Sequence, residues 1–437
     1  MAGARDESLY SAGPWPRGIN NVSNEGELPT HPDTGKPVAL RDALNVDLSS
    51  SGWPRRRPGA TKLVDATVGH SLWSHESLSF GLFVDGARLK LVNEDMRVED
   101  LDLLVGNLPL SYALINDRIY FSNGVSSGML TMDRAVLPWA PEQPGRPELS
   151  LVSGYSMRAG TYQIAVTFVD ALGRESGAQS AAAINVGGNE GIQIELPVPG
   201  EFTTRINVYM TNADDSVLRL SASLPAMEGM QLTHVITAES EGRVLATQFL
   251  EPLPPGHIVR YHNGRQYVAS DNEMRWSEPL RYGMWNPKNR IIFNDRIALL
   301  EPIGDGSNGA GVYVAAGNRT YWIAGADPKD YRQEIAHGHG AVRGTQTTLP
   351  AEVFNPGTEG VVVAWLSANG HFVVGTPGGK IASLKEGEAV TDVADEGAAM
   401  YRADGGIQRV TVSLRGAQPH ALSVRDTAVA HIIHRGA

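Results

Sequence analysis

Three consecutive arginines form the most concentrated positive charge in a chain whose formal net charge is −11. They are Arg55, Arg56 and Arg57, and a proline flanks the run on each side. Guanidinium groups bind carboxylates and phosphates in paired hydrogen bonds. Three uses therefore stay open: a rigid basic turn closed against acidic neighbours such as Asp42 and Asp47, a contact with an adjacent subunit, and a contact with DNA. So few arginines neutralise too few phosphates for strong DNA binding, and the acidic net charge disfavours it further.

Two glycine-rich stretches are similar to nucleotide-binding loops. GDGSNG (residues 304–309) matches the pattern G-x-G-x-x-G, and GTPGGK (residues 375–380) resembles a phosphate loop. A dinucleotide loop must open a helix whose first amides hold the pyrophosphate, whereas the residues that follow GDGSNG read as a strand. The second stretch has the wrong spacing and lacks a serine or threonine after its lysine. We therefore predict hairpin loops here and no bound cofactor.

Histidines and carboxylates offer weaker candidates for chemistry. His337 and His339, in the sequence HGHG, have no third histidine or carboxylate at metal-ligand spacing. Glycoside hydrolysis needs two facing carboxylates, and Asp327, Asp330 and Glu334 flank one candidate surface without a distinctive spacing. The chain has no cysteine, which excludes thiolate catalysis, disulfides and cysteine-bound zinc. We expect neither a metal site nor an enzyme.

The elements that must position these residues are short strands. The chain is 42% hydrophobic and 19% charged, and its many glycines and prolines are spread along its length. Apolar and polar residues alternate in residues 161–169, 204–210, 311–325 and 361–376, a pattern typical of half-buried antiparallel strands. No stretch is long and apolar enough to span a membrane, and the first residues contain no secretion signal. The predicted fold class is all-β.

A recurrent hairpin pattern indicates how the strands are arranged. Residues 114–124 (LINDRIYFSNG) resemble residues 292–302 (IFNDRIALLEP), and residues 260–272 and 82–95 carry further copies. Each copy combines an apolar strand, a tight Asn/Asp/Gly turn and a second apolar strand, which suits two-residue hairpins. Repeated hairpins without covering helices must pack against each other, as in a β-propeller. The length predicts about six or seven blades.

One segment interrupts this repeat. PWAPEQPGRP (residues 138–147) reads as a proline-rich linker, and EPLPPGH (residues 251–257) closes the segment that follows it. The short strands between them read as a β-sandwich similar to a fibronectin type III domain. We predict N-terminal strands and first blades in residues 1–143, the inserted sandwich in residues 144–255, and the remaining blades in residues 256–437.

Aromatic side chains leave two uses open. Trp53, Trp73, Trp285 and Trp322 suit either stacking on host-surface sugars or packing between blades. Large aromatic residues dominate protein cores, so packing is the preferred interpretation.

The N-terminal stretches resemble the start of tail nozzle or tail hub proteins of short-tailed bacteriophages. They are GINNVSNEGELP (residues 18–29) and LRDALNVDLSSSGWPRRRPGATKL (residues 40–63). The positions that match the family's strand and its G-x-x-R-R-P-G turn are Asn45, Val46, Gly52, Arg56, Arg57, Pro58 and Gly59. Residues 262–280 and 311–328 look like blade segments of such proteins.

The resemblance implies a structural virion protein that is made in the bacterial cytoplasm. Its protomers would form a ring, with a hexamer expected, below the portal and adaptor. The lumen would conduct the genome with only transient DNA contact, and the outer face or tip would carry spikes, fibres or a plug. Arg55, Arg56 and Arg57 are then candidates for subunit-interface or lumen contacts. Two alternatives stay open: a baseplate or tail-tip protein of a long-tailed phage, and a host-surface glycan-binding or glycan-degrading propeller.

Overall fold

A computed structural model describes residues 13–43, 46–49, 51–57, 61–305, 309–354, 357, 359–385, 387–404, 407–416 and 429–434. In these ranges the chain forms 34 strands, and its helical segments are 3-10 turns of three residues. The turns are Glu25–Glu27, Pro328–Asp330 and Ala351–Val353. The all-β prediction is confirmed for this part of the chain. No helix within it is long and apolar enough to cross a membrane.

The chain divides into two compact units. One combines Met1–Leu63 with Phe293–Ala437, and the other is Val64–Ile292. The predicted boundaries at residues 143/144 and 255/256 do not coincide with this division, and they stay a prediction. The described strands form ten sheets, and every strand pair within them is antiparallel.

The first unit begins with a hairpin and ends with three sheets. The hairpin pairs β1 (Val46–Leu48) with β2 (Pro54–Arg56). The first of the three sheets contains β24 (Ile297–Ile303), β25 (Gly311–Ala316), β26 (Arg319–Ala324) and β27 (Arg332–His337). The second contains β28 (Thr347–Pro350), β29 (Val361–Leu366), β30 (Phe372–Gly375) and β31 (Ile381–Leu384). The third contains β32 (Glu396–Asp404), β33 (Ile407–Arg415) and β34 (Val429–His434).

The second unit contains three further four-stranded sheets outside the segment read as a sandwich from the sequence. One contains β3 (Gly69–Ser74), β4 (Phe80–Asp85), β5 (Arg88–Asn93) and β6 (Val98–Leu104). The next contains β7 (Ser111–Ile115), β8 (Arg118–Ser122), β9 (Ser127–Thr131) and β10 (Val136–Leu137). The third contains β19 (Ile258–His262), β20 (Arg265–Ser270), β21 (Glu273–Trp276) and β23 (Arg290–Ile292). A short pair joins β18 (Glu251–Pro252), which precedes β19, with β22 (Met284–Trp285), which lies between β21 and β23 in sequence.

Within each unit the sheets pack face to face in a series of three. In the first unit, Val363 and Trp365 of β29 pack against the β24–β27 sheet, while Val362, Ala364 and Leu366 pack against β33. In the second unit the middle sheet is β7–β10, which shares one core with β4 and β5 and another with β19 and β20. Middle sheets are therefore covered on both faces.

This stacking corrects one prediction about the strands. The alternating runs do form antiparallel strands, but most of their central residues are buried on both faces, and all six residues of β25 are buried. For residues 361–376 the prediction of half-buried strands was wrong because it assumed that one face of the sheet meets solvent, whereas the β28–β31 sheet has neighbours on both sides.

The predicted hairpin turns are correct in most copies. Asn116 and Asp117 both have positive φ and join β7 to β8 in two residues, and Asn263 with Gly264 joins β19 to β20 in the same way. The similar Asn-Asp pair at residues 294–295 does not adopt positive φ, and β23 and β24, which flank it, belong to different sheets. That copy is the connection between the two compact units rather than a hairpin.

Seven strands between residues 148 and 236 form two facing sheets. One contains β11 (Glu148–Ser153), β14 (Glu190–Glu195) and β17 (Thr233–Ile236). The other contains β12 (Gly160–Asp170), β13 (Ala182–Val186), β15 (Thr203–Met210) and β16 (Arg219–Pro225). Buried residues of both sheets, such as Ile164, Val208 and Ile192, share one core, which makes this segment a β-sandwich.

Candidate binding site

A pocket of about 600 Å³ opens beside the sandwich, within the second unit. Its walls are the proline-rich segment 138–142, the returning segment 252–255, the loop 170–174 after β12, and the turn 201–204 that begins β15. The lining is mostly apolar, and Leu172 and Phe202 contribute exposed surface at the rim, with relative exposures of 38% and 39%. A volume of this size is typical of pockets that hold a small ligand or an anchoring side chain.

Arg174 holds the pocket wall together. Its Nε donates to Asp170 Oδ2 at 2.7 Å, and its two terminal nitrogens donate to the carbonyl oxygens of Trp139 (2.8 Å) and Pro138 (2.9 Å). The Arg174 and Asp170 side chains are only 18% and 7% exposed. These bonds tie the linker to the sandwich, so this arginine supports the pocket rather than offering a charge to a ligand.

A second contact joins the two linkers. The indole nitrogen of Trp139 donates to the carbonyl oxygen of Leu253 at 3.0 Å, and both residues are buried. The segments that enter and leave the sandwich are therefore adjacent, and the pocket floor is fixed by hydrogen bonds to buried backbone groups.

Two carboxylates give the pocket its charge. Glu142 and Glu201 both line it, and both residues are exposed. Within the described part of the chain neither carboxylate makes an ion pair or hydrogen bond. An apolar pocket with two uncompensated carboxylates at its rim suits an occupant that combines an apolar or aromatic group with cations.

A polar network lies beside this pocket on the β12–β15–β16 sheet. Glu175 Oε1 accepts hydrogen bonds from Thr167 Oγ1, Asn207 Nδ2 and Tyr209 OH, each at 2.7 Å, and Oε2 accepts one from Arg243 at 3.1 Å. Burial raises the pKa of Glu175, but these bonds outweigh it and hold the pKa below its ordinary value. Burial and the same carboxylate raise the pKa of Tyr209. Every carboxylate oxygen is occupied, so the network stabilises the sandwich.

The arginine run has two different environments. Its predicted turn is instead strand β2, in which Arg55 pairs with Asp47 and Arg56 with Val46 across the hairpin. The turn itself lies before Trp53, where Gly52 has a φ of +83° and a Cβ would stand 2.6 Å from the backbone nitrogen of Pro16. Arg55 and Arg56 are exposed. Their interface or lumen role stays a prediction.

The third arginine of the run is engaged inside the protein. Arg57 Nε lies 3.5 Å from Asp47 Oδ1, and Arg409 on β33 donates to Asp47 Oδ2 at 3.1 Å. The Asp47 side chain is only 10% exposed. The predicted closure against Asp47 is therefore present for Arg57, and it attaches the N-terminal hairpin to the last sheet.

The described residues of both glycine-rich stretches connect strands. After residue 309 the chain enters β25, so the first stretch does not open a helix there; its residues 306–308 lie outside the described part. In the second, the hydroxyl of Tyr313 donates to the carbonyl oxygens of Thr376 and Lys380, which closes the hairpin between β30 and β31.

The remaining candidates occupy ordinary positions. The rings of His337 and His339 are 5.3 Å apart, and within the described residues no three histidines, cysteines or carboxylates are arranged to hold a metal. Asp327 caps a 3-10 turn by accepting from the Lys329 amide. Trp285 and Trp322 are buried, and Trp73 stacks on a buried tyrosine, as the packing interpretation predicted. Trp53 is the exception, with an exposure of 46%.

Sequence reasoning missed both the pocket and the Glu175 network. A signal was present in DALGRESG (residues 170–177), where polar residues cluster directly after a long apolar strand. Asp170, Arg174, Glu175 and Ser176 all make specific side-chain hydrogen bonds there. Asp170 and Ser176 bond within the loop and its flank, but Trp139, Asn207 and Tyr209 lie 32–35 residues away from their partners, so local pattern alone does not reveal these contacts.

Comparisons with known proteins give no family. No protein-family model and no curated protein matches the chain. Among solved structures, BBS1N in complex with ARL6DN is similar at 8% identity and a TM-score of 0.32, over 82% of this chain and 96% of that one. The extracellular domain of the one-component system BT4673 from B. thetaiotaomicron is similar at 9% identity and a TM-score of 0.24, over 85% of this chain and 62% of that one. The N-terminal domain of Nup159 is similar at 10% identity and a TM-score of 0.26, over 83% of this chain and 75% of that one. Such low TM-scores do not establish a shared fold.

Proposed function

We propose that this protein is a structural component of a phage tail, a nozzle or hub subunit that forms a ring around the path of the genome. Each protomer would be a six-bladed β-propeller that carries the sandwich as an insertion. The role is mechanical: the ring frames a channel and docks adaptor, spike or fibre proteins through its loops.

One observation carries the proposal beyond the sequence resemblance. The hairpin that bears Val46, Gly52, Arg56 and Arg57, all part of the resemblance, is attached to β33 near the other end of the chain through Asp47. A propeller must bring its first and last segments together to close its ring of blades. Each compact unit contains a series of three stacked sheets, which is compatible with blades of such a propeller.

Further contacts reinforce this attachment of the N-terminal segment. The Asn21 side chain exchanges two hydrogen bonds with the backbone of Val390, at 2.7 and 3.0 Å, and the Lys385 ammonium donates to the carbonyl oxygen of Arg17. Hydrogen bonds between side chains and backbone thus hold residues 17–21 on the segment 385–390 after β31. The N-terminal segment, which carries the resemblance, therefore helps to close the first unit.

The acidic composition supports a conduit rather than a DNA-binding surface. With a net charge of −11, the protein repels phosphates at long range, so DNA would pass without being held. The DNA contacts expected in a lumen are then few and transient.

Immunogold electron microscopy tests this proposal. An antibody raised against the recombinant protein is applied to particles released from the encoding bacterium after infection or prophage induction. Gold at the tail of short-tailed virions is the expected result, and gold at the tip of a long tail would move the same role to a baseplate. Well-formed particles without label, with the protein on cell surfaces instead, would contradict the virion role and favour the glycan-binding or glycan-degrading alternatives.

A further inference from the structure

We propose that the exposed basic strand of one copy docks into the proline-lined pocket of the next copy. The basic strand is defined as residues 53–56, with Trp53, Arg55 and Arg56 as its anchors, and the proline pocket is the cavity rimmed by Glu142 and Glu201. The inference rests on the proposed function and extends it, because it names the contact that would build the ring.

The basic strand has the properties of an unoccupied interface. Trp53 is 46% exposed, and Pro54, Arg55 and Arg56 are exposed as well. In the described residues neither Arg55 nor Arg56 makes an ion pair or a side-chain hydrogen bond. Strand β2 pairs with β1 alone among the described strands, which leaves its second edge open. Tryptophan and arginine are the residues most enriched at the energetic centres of protein interfaces.

The proline pocket offers the complementary surface. Its apolar walls and the exposed ring of Phe202 suit an indole, and Glu142 and Glu201 supply two carboxylates for two guanidinium groups. Paired hydrogen bonds between guanidinium and carboxylate groups are short and directional, so they would fix the orientation of the docked strand. The basic strand carries two positive charges and the proline pocket two negative ones, so the two surfaces are complementary in number and sign of charge.

The geometry of such a contact is head to tail. The basic strand lies in the first unit and the pocket lies in the second, so each copy carries both surfaces, made of different residues. Contacts between two different surfaces produce closed rings or open filaments, whereas self-complementary contacts stop at a dimer. This pair of surfaces therefore predicts a ring or a filament rather than a dimer, and the proposed function selects the ring.

Charge reversal tests the contact in the full-length protein by sedimentation velocity at low salt. Two variants are compared with the wild type: Arg55→Glu/Arg56→Glu and Glu142→Arg/Glu201→Arg. Each should raise the dissociation constant of self-association about a hundredfold, because each removes two charge pairs that contribute about tenfold apiece. A mixture of the two variants should associate again, because the glutamate strand of the first variant fits the arginine pocket of the second, and the arginine strand of the second fits the glutamate pocket of the first. Trp53→Ala should weaken association without changing the charge.

The matched control is Arg319→Glu/Arg332→Glu, which makes the same change in net charge at two exposed arginines on β26 and β27. It should associate like the wild type. Two results would overturn the inference: a wild type that stays monomeric at every concentration, or an oligomer that both charge-reversal variants leave intact.

These outcomes are separate from the virion test. An oligomer unaffected by charge reversal, in a protein that labels tails, refutes this contact and leaves the tail role standing. An oligomer that dissociates and recovers as described, in a protein absent from virions, supports the contact and refutes the tail role.

Discussion

Replacing Glu175 by glutamine should destabilise the sandwich by about 3 kcal/mol at neutral pH. The variant keeps the shape of the side chain and one acceptor oxygen, but it removes the negative charge that three donors face at 2.7 Å. A hydrogen bond to a charged group contributes about 1.5–3 kcal/mol, against about 1 kcal/mol for a neutral one, so the loss is about 1 kcal/mol per bond. Arg243 adds less than about 1 kcal/mol because its side chain is 60% exposed.

The pH dependence of this effect has a defined sign. The pKa of Glu175 is lowered in the folded protein, so its stabilising contribution is complete above the ordinary glutamate pKa of 4.5. The contribution is lost as the pH falls through the folded-state pKa, where the carboxyl group takes up a proton. The difference between wild type and variant should therefore be constant near neutral pH and shrink towards zero in acid.

Urea denaturation and hydrogen exchange of the sandwich peptides, at several pH values, measure this difference. The matched control is Glu195→Gln, which removes the same charge from an exposed strand residue whose one side-chain bond is to Gln231. The control should change the free energy of unfolding by less than about 0.5 kcal/mol. A Glu175→Gln variant as stable as this control, or a difference that persists unchanged in acid, would refute the assignment of the network as a charge-dependent structural element.

Four further substitutions test the packing of the chain. Asp47→Ala should lower the free energy of unfolding, measured by urea denaturation, by about 3 kcal/mol, because it leaves two partly buried arginines without their carboxylate. Arg57→Ala should lower it by less than about 1 kcal/mol, because that side chain is 29% exposed. Equal costs for the two would contradict the shared-carboxylate geometry. Gly52→Ala should lower the melting temperature, because its φ is +83° and an added Cβ meets backbone; an unchanged melting temperature would mean that the hairpin shifts freely. Trp139→Phe should lower the free energy of unfolding by about 1–2 kcal/mol and speed hydrogen exchange at the amides of Leu250, Glu251 and Leu253, because a buried carbonyl loses its donor.

The strand content and most hairpins could be predicted because they depend on local chemistry. Asn116 and Asp117 tolerate positive φ, and strand patterns are visible within a few residues. The Asn-Asp pair at residues 294–295 shows the limit of that reasoning, since the same dipeptide serves there as a connection between units. Which conformation such a pair adopts depends on whether its two flanking strands pair, and that is a property of the tertiary structure.

The site was less predictable than the fold. Arg55, Arg56 and Arg57 are equivalent in sequence, yet Arg57 is held by Asp47 while the first two are exposed. What separates them is the register of β2 on β1 and the position of Arg409, more than 350 residues away. The pocket likewise arises from four segments that are distant in sequence, and no motif marks it.

The position of the sandwich explains why an insertion leaves the stacked sheets intact. Residues of β7 and β8, before the sandwich, and of β19 and β20, after it, share one core, so the two sheets pack directly on each other despite the long segment between them. The contact between Trp139 and Leu253 shows that the chain departs and returns at one point. Because both linkers must turn sharply there, they are rich in proline, and their convergence with the sandwich loop leaves the pocket. The pocket is therefore a consequence of inserting one β-fold into another, and its rim residues are free to serve contacts with other molecules, since neither core depends on them.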